Sequence, residues 1–436
     1  MQRSIGVAFA ALILLVAPAA AQQLSTEERR IVEAVDANRN EAIALLERIV
    51  NINSGTLNAA GVRRVHEALA PHFEVLGFDV RYVENPAVVN RGGHLVAERA
   101  GGQGRHLLLI GHLDTVFEED SPFQQWLLVD DSTALGPGVN DMKGGNVVIW
   151  SALEALHAAG ALDGTSITVV MTGDEERPGD PVDEARRALV EAGEAADIAL
   201  GFESGTAGRG VIARRSASSW RIDVEATTAH SSGVFSDQVG AGAIYEAARI
   251  LDAFYSGIRG EEYLTLNAAT VVAGTEAGWD EDVARGTVFG KTNVVPPAAV
   301  LTGDIRTITD EQLTRTRDRM EQIVARPLPG TRSRITFSDG YPAMPPTDAN
   351  RRLLGVYGAV SEALGMGEVA PFDPGLRGAA DISFVASVID AGLDGLGPEG
   401  DGAHTVEETV NLNSIERSAK RAALLIYRLT RAEPAT

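Results

Sequence analysis

The sequence predicts an α/β protein: a mostly parallel sheet with helices on both faces, interrupted by an inserted α+β domain. Two patterns carry that expectation. Short unbroken apolar runs, such as residues 106–110 and 167–171, alternate with stretches whose apolar residues recur at helical spacing. That alternation is the mark of βα units and of a sheet covered on both faces. Between residues 213 and 341 the strands instead alternate apolar and polar side chains, as in a sheet with one face in solvent, and after Pro342 the α/β texture returns.

The first 21 residues stand apart from the fold. Arg3 precedes an apolar stretch, residues 5–16, which is too short to span a bilayer; Pro18 and Ala19-Ala20-Ala21 follow. This order reads as a secretory signal cut after Ala21, so the mature chain is expected to be exported, periplasmic or secreted. Residues 22–212 and 342–436 then make the two parts of the α/β domain, and 213–341 the insert.

The elements follow in order. Ser25 and Glu28 fit a capping box ahead of Ile31, Val32 and Val35 at helical spacing, and Ile43, Leu46, Ile49 and Val50 mark a second helical run. Residues 59–73 read as a helix stopped before Gly77, with strands at 78–83, 94–97 and 106–110. Asp141 opens a helix that puts Ile149, Ala152, Leu153 and Leu156 on one face; 167–171 and 198–202 are buried strands. In the insert, 218–226, 263–272, 299–307 and 334–337 read as strands and 240–254 and 311–324 as helices. A helix at 414–429 comes last.

Composition narrows the function. Hydrophobic residues at 44% and charged residues at 22% suit a folded soluble enzyme. A net charge of −22 argues against nucleic acid as a partner. The absence of cysteine excludes disulfides, thiolate-held zinc and a lipid anchor on an N-terminal cysteine, so a metal site must draw on His, Asp and Glu.

Four segments place such residues where a strand ends or a helix begins: Gly111-His112-Leu113-Asp114-Thr115, Gly136-Pro137-Gly138-Val139-Asn140-Asp141, Gly173-Asp174-Glu175-Glu176 and Phe202-Glu203-Ser204. In open α/β sheets ligands bind outside the carboxyl ends of the strands, so four such segments can converge. His112 and Asp114, two apart in extended chain, face the same way, as a ligating imidazole and its supporting carboxylate do. A satisfied histidine would read the same. Asp141 is equally a helix N-cap, and Asp174-Glu175-Glu176 equally a solvated acidic turn. Adjacent Glu175 and Glu176 point apart, so one can bind metal while the other stays free as a general base.

Taken together, His112-x-Asp114-Thr115-Val116, the block from Gly136 through Asp141-Met142-Lys143-Gly144-Gly145, and Asp174-Glu175-Glu176 resemble, in order and spacing, one group of dinuclear zinc peptidases. That group includes carboxypeptidase G, aminoacylases and succinyl-diaminopimelate desuccinylase. The resemblance runs from about residue 42 to 429. It implies two zinc ions per subunit, with Co2+ or Mn2+ as substitutes, bridged by Asp141. It assigns His112 and Glu203 to one ion, Glu176 and His404 to the other, Glu175 as general base and Asp114 as the carboxylate behind His112. His404 lies in Gly402-Ala403-His404-Thr405-Val406-Glu407-Glu408, similar to the group's late Gly-x-His-x-x-x-Glu segment. The insert resembles the group's lid and dimerisation domain, which implies a homodimer in which His230 reaches the partner's site to stabilise the oxyanion. Asn293 and Arg306 match residues that hold the substrate and its free carboxylate, a role the guanidinium fork suits. Without that context, Arg306 would read as a surface charge and His404 as a loop histidine.

Two departures bear on the substrate, expected to be a peptide or an N-acyl amino acid. Where many members carry Gly-Gly-Thr-Asp, this chain has Arg377-Gly378-Ala379-Ala380-Asp381, which makes Arg377 and Gly378 candidate substrate contacts. Where glutamate-selective members tend to carry a basic residue before the Pro-Ala that closes the lid, this chain has Tyr341-Pro342-Ala343. A less polar side chain, or an acylase activity, fits as well as a glutamate carboxypeptidase. A non-catalytic binding protein would have lost a ligand or the base, and all are present. A glycosidase built on paired carboxylates leaves His112 and His404 without a role.

Overall fold

The computed structural model describes residues 23–281 and 283–431, so the leader assigned to residues 1–21 lies outside the described residues. A six-stranded sheet organises the molecule. Its order is Asp79–Val83, His94–Arg99, Thr165–Thr172, Gln103–His112, Ile198–Gly201 and Ala391–Leu393. The last three pairings are parallel and the first two antiparallel. The expectation of a mostly parallel sheet is therefore corrected: the sheet is mixed, and the larger sheets beside it are antiparallel. The reason is physical. An apolar run reports two covered faces and is silent about strand direction, and Leu95, Val96 and Ala97 are buried on both faces of an antiparallel strand.

Alternation along each strand feeds two cores. Leu107 and Leu109, with Ile167, Val169 and Met171, join the larger cluster under helices Thr26–Val50, Lys143–Ala158 and Leu412–Arg431. Leu108, Ile110 and Val170 point the other way, onto Leu189, Ile382 and Val385. Each such buried side chain stabilises the fold by about 1.5–3 kcal/mol. The capping box forms as read: Ser25 Oγ accepts from the Glu28 amide at 3.1 Å and the Ser25 amide donates to Glu28 Oε2 at 2.8 Å. Glu28 Oε1 also accepts from Arg428 Nε, tying this helix to the last one. The two helical runs at the start are one helix, Thr26–Val50.

Within residues 213–341, strands Thr265–Gly274, Ala298–Arg306, Ala217–Ala226 and Thr331–Tyr341 form, in that order, an antiparallel sheet. Helices Ala243–Gly257 and Asp310–Val324 cover one face, closing a separate core around Trp220, Ile222, Ile250, Phe254 and Leu301. A hairpin, Glu276–Asp280 with Arg285–Phe289, extends this layer and was not read from the sequence. The chain enters and leaves the layer through two adjacent crossings, where Arg214 and Met344 exchange backbone hydrogen bonds of 2.9 Å.

Candidate active site

Three of the four predicted segments sit at the carboxyl ends of the parallel strands. Gln103–His112 ends in His112, Thr165–Thr172 leads into Asp174-Glu175-Glu176, and Ile198–Gly201 into Glu203. Asp141 comes from the turn ahead of helix Lys143–Ala158. The helix starts two residues later than expected and Asp141 does not cap it; its carboxylate instead joins the cluster. Gly145 permits the approach, since a Cβ there would stand 2.0 Å from the Phe202 carbonyl oxygen. His404 adopts a left-handed φ of 65°, which costs a non-glycine residue about 1–2 kcal/mol, and its imidazole joins the cluster.

The side chains make two triads that share Asp141: His112, Asp141 and Glu203, and Asp141, Glu176 and His404, each with ligand atoms within 4.8 Å of one another. His112 Nε2 lies 3.3 Å from Asp141 Oδ1 and 3.7 Å from Glu203 Oε1. His404 Nε2 lies 3.2 Å from Asp141 Oδ2 and 3.0 Å from Glu176 Oε2. Behind the first triad, His112 Nδ1 faces Asp114, 3.1 Å from its carbonyl and 3.3 Å from Oδ1. Asp114 is fully buried and also accepts from Thr56 Oγ1 at 2.6 Å and from the amides of Glu175 and Glu176 at 3.0 and 3.1 Å. One carboxylate therefore orients the histidine and sets the turn bearing both glutamates.

The electrostatics of the cluster call for positive charge. Burial, with Asp141 close by, pushes Glu203 up to about 8, and burial likewise raises Glu176. Burial, with Glu203, Asp381 and Glu176 around it, raises Glu175 well above the carboxylate range despite His112. Hydrogen bonds to Asp141 and Glu176 lift His404 to about 11. Burial opposes a charge on His112, but Asp114 and Asp141 raise it well above its ordinary value. Glu176 Oε1 is buried without a hydrogen-bond partner. Two imidazoles and three carboxylates, short of cations and with an orphaned oxygen, fit a pair of divalent ions held by N and O donors.

Several supporting residues were not assigned roles from the sequence. Glu408 accepts from the amides of Gly138, Asn140 and Asp141 at 3.1, 2.8 and 2.9 Å and so fixes the Asp141 turn; burial pushes it up to about 7. It is the closing glutamate of the His404 segment, a signal that was present. Asn146 Nδ2 donates to the His112 carbonyl at 2.6 Å. Thr56 and Asn146 belong to no motif that singles them out.

None of the remaining predicted contacts belongs to either triad. His230 is exposed, its Nδ1 engaged by Ser232 Oγ at 2.9 Å. His230 pairs with Val294 across a two-residue ladder, which sets exposed Asn293 beside it. Arg306 ends its strand with Nε 3.2 Å from Asp304. Arg377 does come near: it holds Ser204, next to Glu203, through its carbonyl and, at 3.3 Å, its hydroxyl, and stacks over Phe372. Gly378 is exposed, and its carbonyl accepts from Arg214 at 3.0 Å.

Residues 108–428 match the sequence pattern of Peptidase family M20/M25/M40. Carboxypeptidase G2 of Pseudomonas sp. (strain RS-16) is 27% identical over 389 residues, 89% of either chain. Succinyl-diaminopimelate desuccinylase of Alkalilimnicola ehrlichii is 26% identical, covering 86% of this chain and 96% of that one. Among solved structures, aminopeptidase PepT of Bacillus cereus superposes with a TM-score of 0.69 at 17% identity, over 90% of this chain and 99% of that one. A dinuclear metal binding peptidase of the M20 family from Bacillus subtilis gives 0.63 at 15% identity, over 91% and 99%. The chain belongs to peptidase family M20/M25/M40, and it is a metal-dependent peptidase or amidohydrolase of that family.

Proposed function

We propose that the chain is an exported zinc enzyme that hydrolyses an amide bond beside a free carboxylate, as a carboxypeptidase or dipeptidase of the carboxypeptidase G kind. The observation that carries this reading is the pair of triads sharing Asp141, with Glu175 within electrostatic reach of both yet a member of neither. His112, Asp141 and Glu203 would hold one ion and Asp141, Glu176 and His404 the other. Bound there, a zinc pair supplies Lewis acidity toward a water and the scissile carbonyl. Glu175 takes the proton of the attacking water and delivers it to the leaving amine. Asp114 keeps His112 in the tautomer that presents Nε2 to the site. His230, exposed on the insert, supplies a donor for the oxyanion from the partner of a homodimer. The edge strand Thr265–Gly274, with Val271 half exposed, suits pairing through the insert, residues 213–341. Among the described residues no helix is long and apolar enough to cross a membrane; export rests on the reading of residues 1–21.

Asn293 helps hold the substrate and Arg306 binds its free carboxylate. Arg306→Ala is expected to raise KM about 10- to 100-fold for free-acid substrates, the worth of a charge-assisted hydrogen bond, with kcat changed far less. Steady-state kinetics on a dipeptide series checks this, and an unchanged KM would remove Arg306 from the substrate site. A second reading, N-acyl-amino-acid amidohydrolase, is favoured by one observation. Tyr341 stands where a basic residue would select glutamate, and its hydroxyl is already engaged by Arg186 and the Glu175 carbonyl. Arg377 and Gly378 then contribute to the wall on the acyl side.

A further inference from the structure

The turn that carries Glu175 and Glu176 is held from behind by groups with no part in the chemistry. Arg186 is fully buried, and its guanidinium binds three chain segments at once. Nη1 meets Asp174 Oδ1 at 2.6 Å and Nε meets Asp381 Oδ1 at 2.8 Å. Nη2 donates to the Asp174 carbonyl at 3.1 Å and to Tyr341 Oη at 3.2 Å. The second Asp381 oxygen accepts from Thr172 Oγ1 at 2.5 Å, so both carboxylate oxygens are engaged. Tyr341 ends strand Thr331–Tyr341, the last residue of the insert, and its hydroxyl donates to the Glu175 carbonyl at 2.5 Å. The other crossing does something parallel: Arg214 binds buried Asp394 at 2.8 Å and the Gly378 carbonyl at 3.0 Å. Each chain crossing is thus tied by a buried arginine to an aspartate of the segment that follows the insert.

We propose that Tyr341 is a positioning residue. Held by Arg186, it links the exit of the inserted layer to the backbone of Glu175 and so fixes the turn that presents Glu175 and Glu176. Glu175 has a side chain long enough to swing, and a base displaced by about an ångström loses much of its effect, so a fixed backbone anchor has a kinetic consequence. The inference rests on the reading of Glu175 as the base. It assigns a purpose to the tyrosine that stands where glutamate-selective relatives tend to carry a basic residue: contact with the backbone of the base in place of charge recognition of the substrate.

Tyr341→Phe removes one oxygen and keeps the ring against Phe384, 5.0 Å between centroids, so the fold is retained. The expected result is a kcat lower by about tenfold per folded, metal-loaded chain, with KM within about twofold and the melting temperature within a few degrees. A purely structural tyrosine would move the melting temperature and spare kcat. A cobalt titration followed by visible absorption is run beside it, because Glu176 shares the turn; its affinity for the weaker-bound ion is expected to fall about threefold or more. With an active parent enzyme, kcat within twofold of the parent overturns the proposal. With a parent that turns over no amide, the functional reading has failed, and the cobalt titration alone decides: weakened binding upholds the link and unchanged binding overturns it.

Discussion

Glu175→Gln is expected to lower kcat by about 10²- to 10⁴-fold while the protein still binds its full complement of metal. The amide keeps the size and hydrogen-bonding reach of the carboxylate and removes only its capacity to accept a proton. The prediction is sharp because Glu176, one residue on, is expected to behave differently. Its Oε2 belongs to the triad with Asp141 and His404, whereas Glu175 belongs to neither triad. Both glutamate amides donate to the same Asp114 carboxylate, which holds the turn so that the neighbouring side chains serve separate ends. Kinetics paired with elemental analysis separates the roles. Loss of metal along with activity in Glu175→Gln would make Glu175 a ligand and leave the base unassigned.

The second large effect concerns Asp141. Its two oxygens face different histidines, at 3.3 and 3.2 Å, so it alone belongs to both triads. Asp141→Ala is therefore expected to take bound metal from about two ions per chain to about none, with activity lost below detection. Glu203→Ala and Glu176→Ala should each cost about one ion, because each lies in a single triad. Elemental analysis after dialysis against a metal-buffered solution reads the difference. Equal losses in all three variants would mean that Asp141 does not bridge.

How much of this could be read from residues depended on the range of each interaction. The capping box at Ser25 and Glu28 is local and formed as read. The strand ends bearing His112, Glu175 and Glu203 were visible because an apolar run followed by acids or histidine is itself a local pattern. Strand direction was not visible, since Leu95-Val96-Ala97 carries the same covered-face signature as a parallel strand. Asp141 looked like a helix cap from its neighbours alone; the resemblance pointed to metal, and the structure moved the helix start to Lys143. Arg186 had no local signal: of its partners Asp174 is 12 residues away, and Asp381 and Tyr341 are 195 and 155. Buried ionic groups of this kind are chosen by the folded surroundings and leave no periodicity behind. The hairpin Glu276–Asp280 with Arg285–Phe289 escaped for a different reason: its second strand is exposed throughout and its first shows no alternation of buried and exposed residues.

The most direct test of metal-dependent hydrolysis beside a free carboxylate compares one dipeptide and one N-acyl amino acid, each as the free acid and as its C-terminal amide. Hydrolysis is followed with zinc-loaded protein and with the same protein after chelation. The expected result is turnover of at least one free acid, little or none of its amide, loss of activity on chelation and recovery when zinc is returned. Equal cleavage of acid and amide, or activity that survives complete removal of metal, would contradict it.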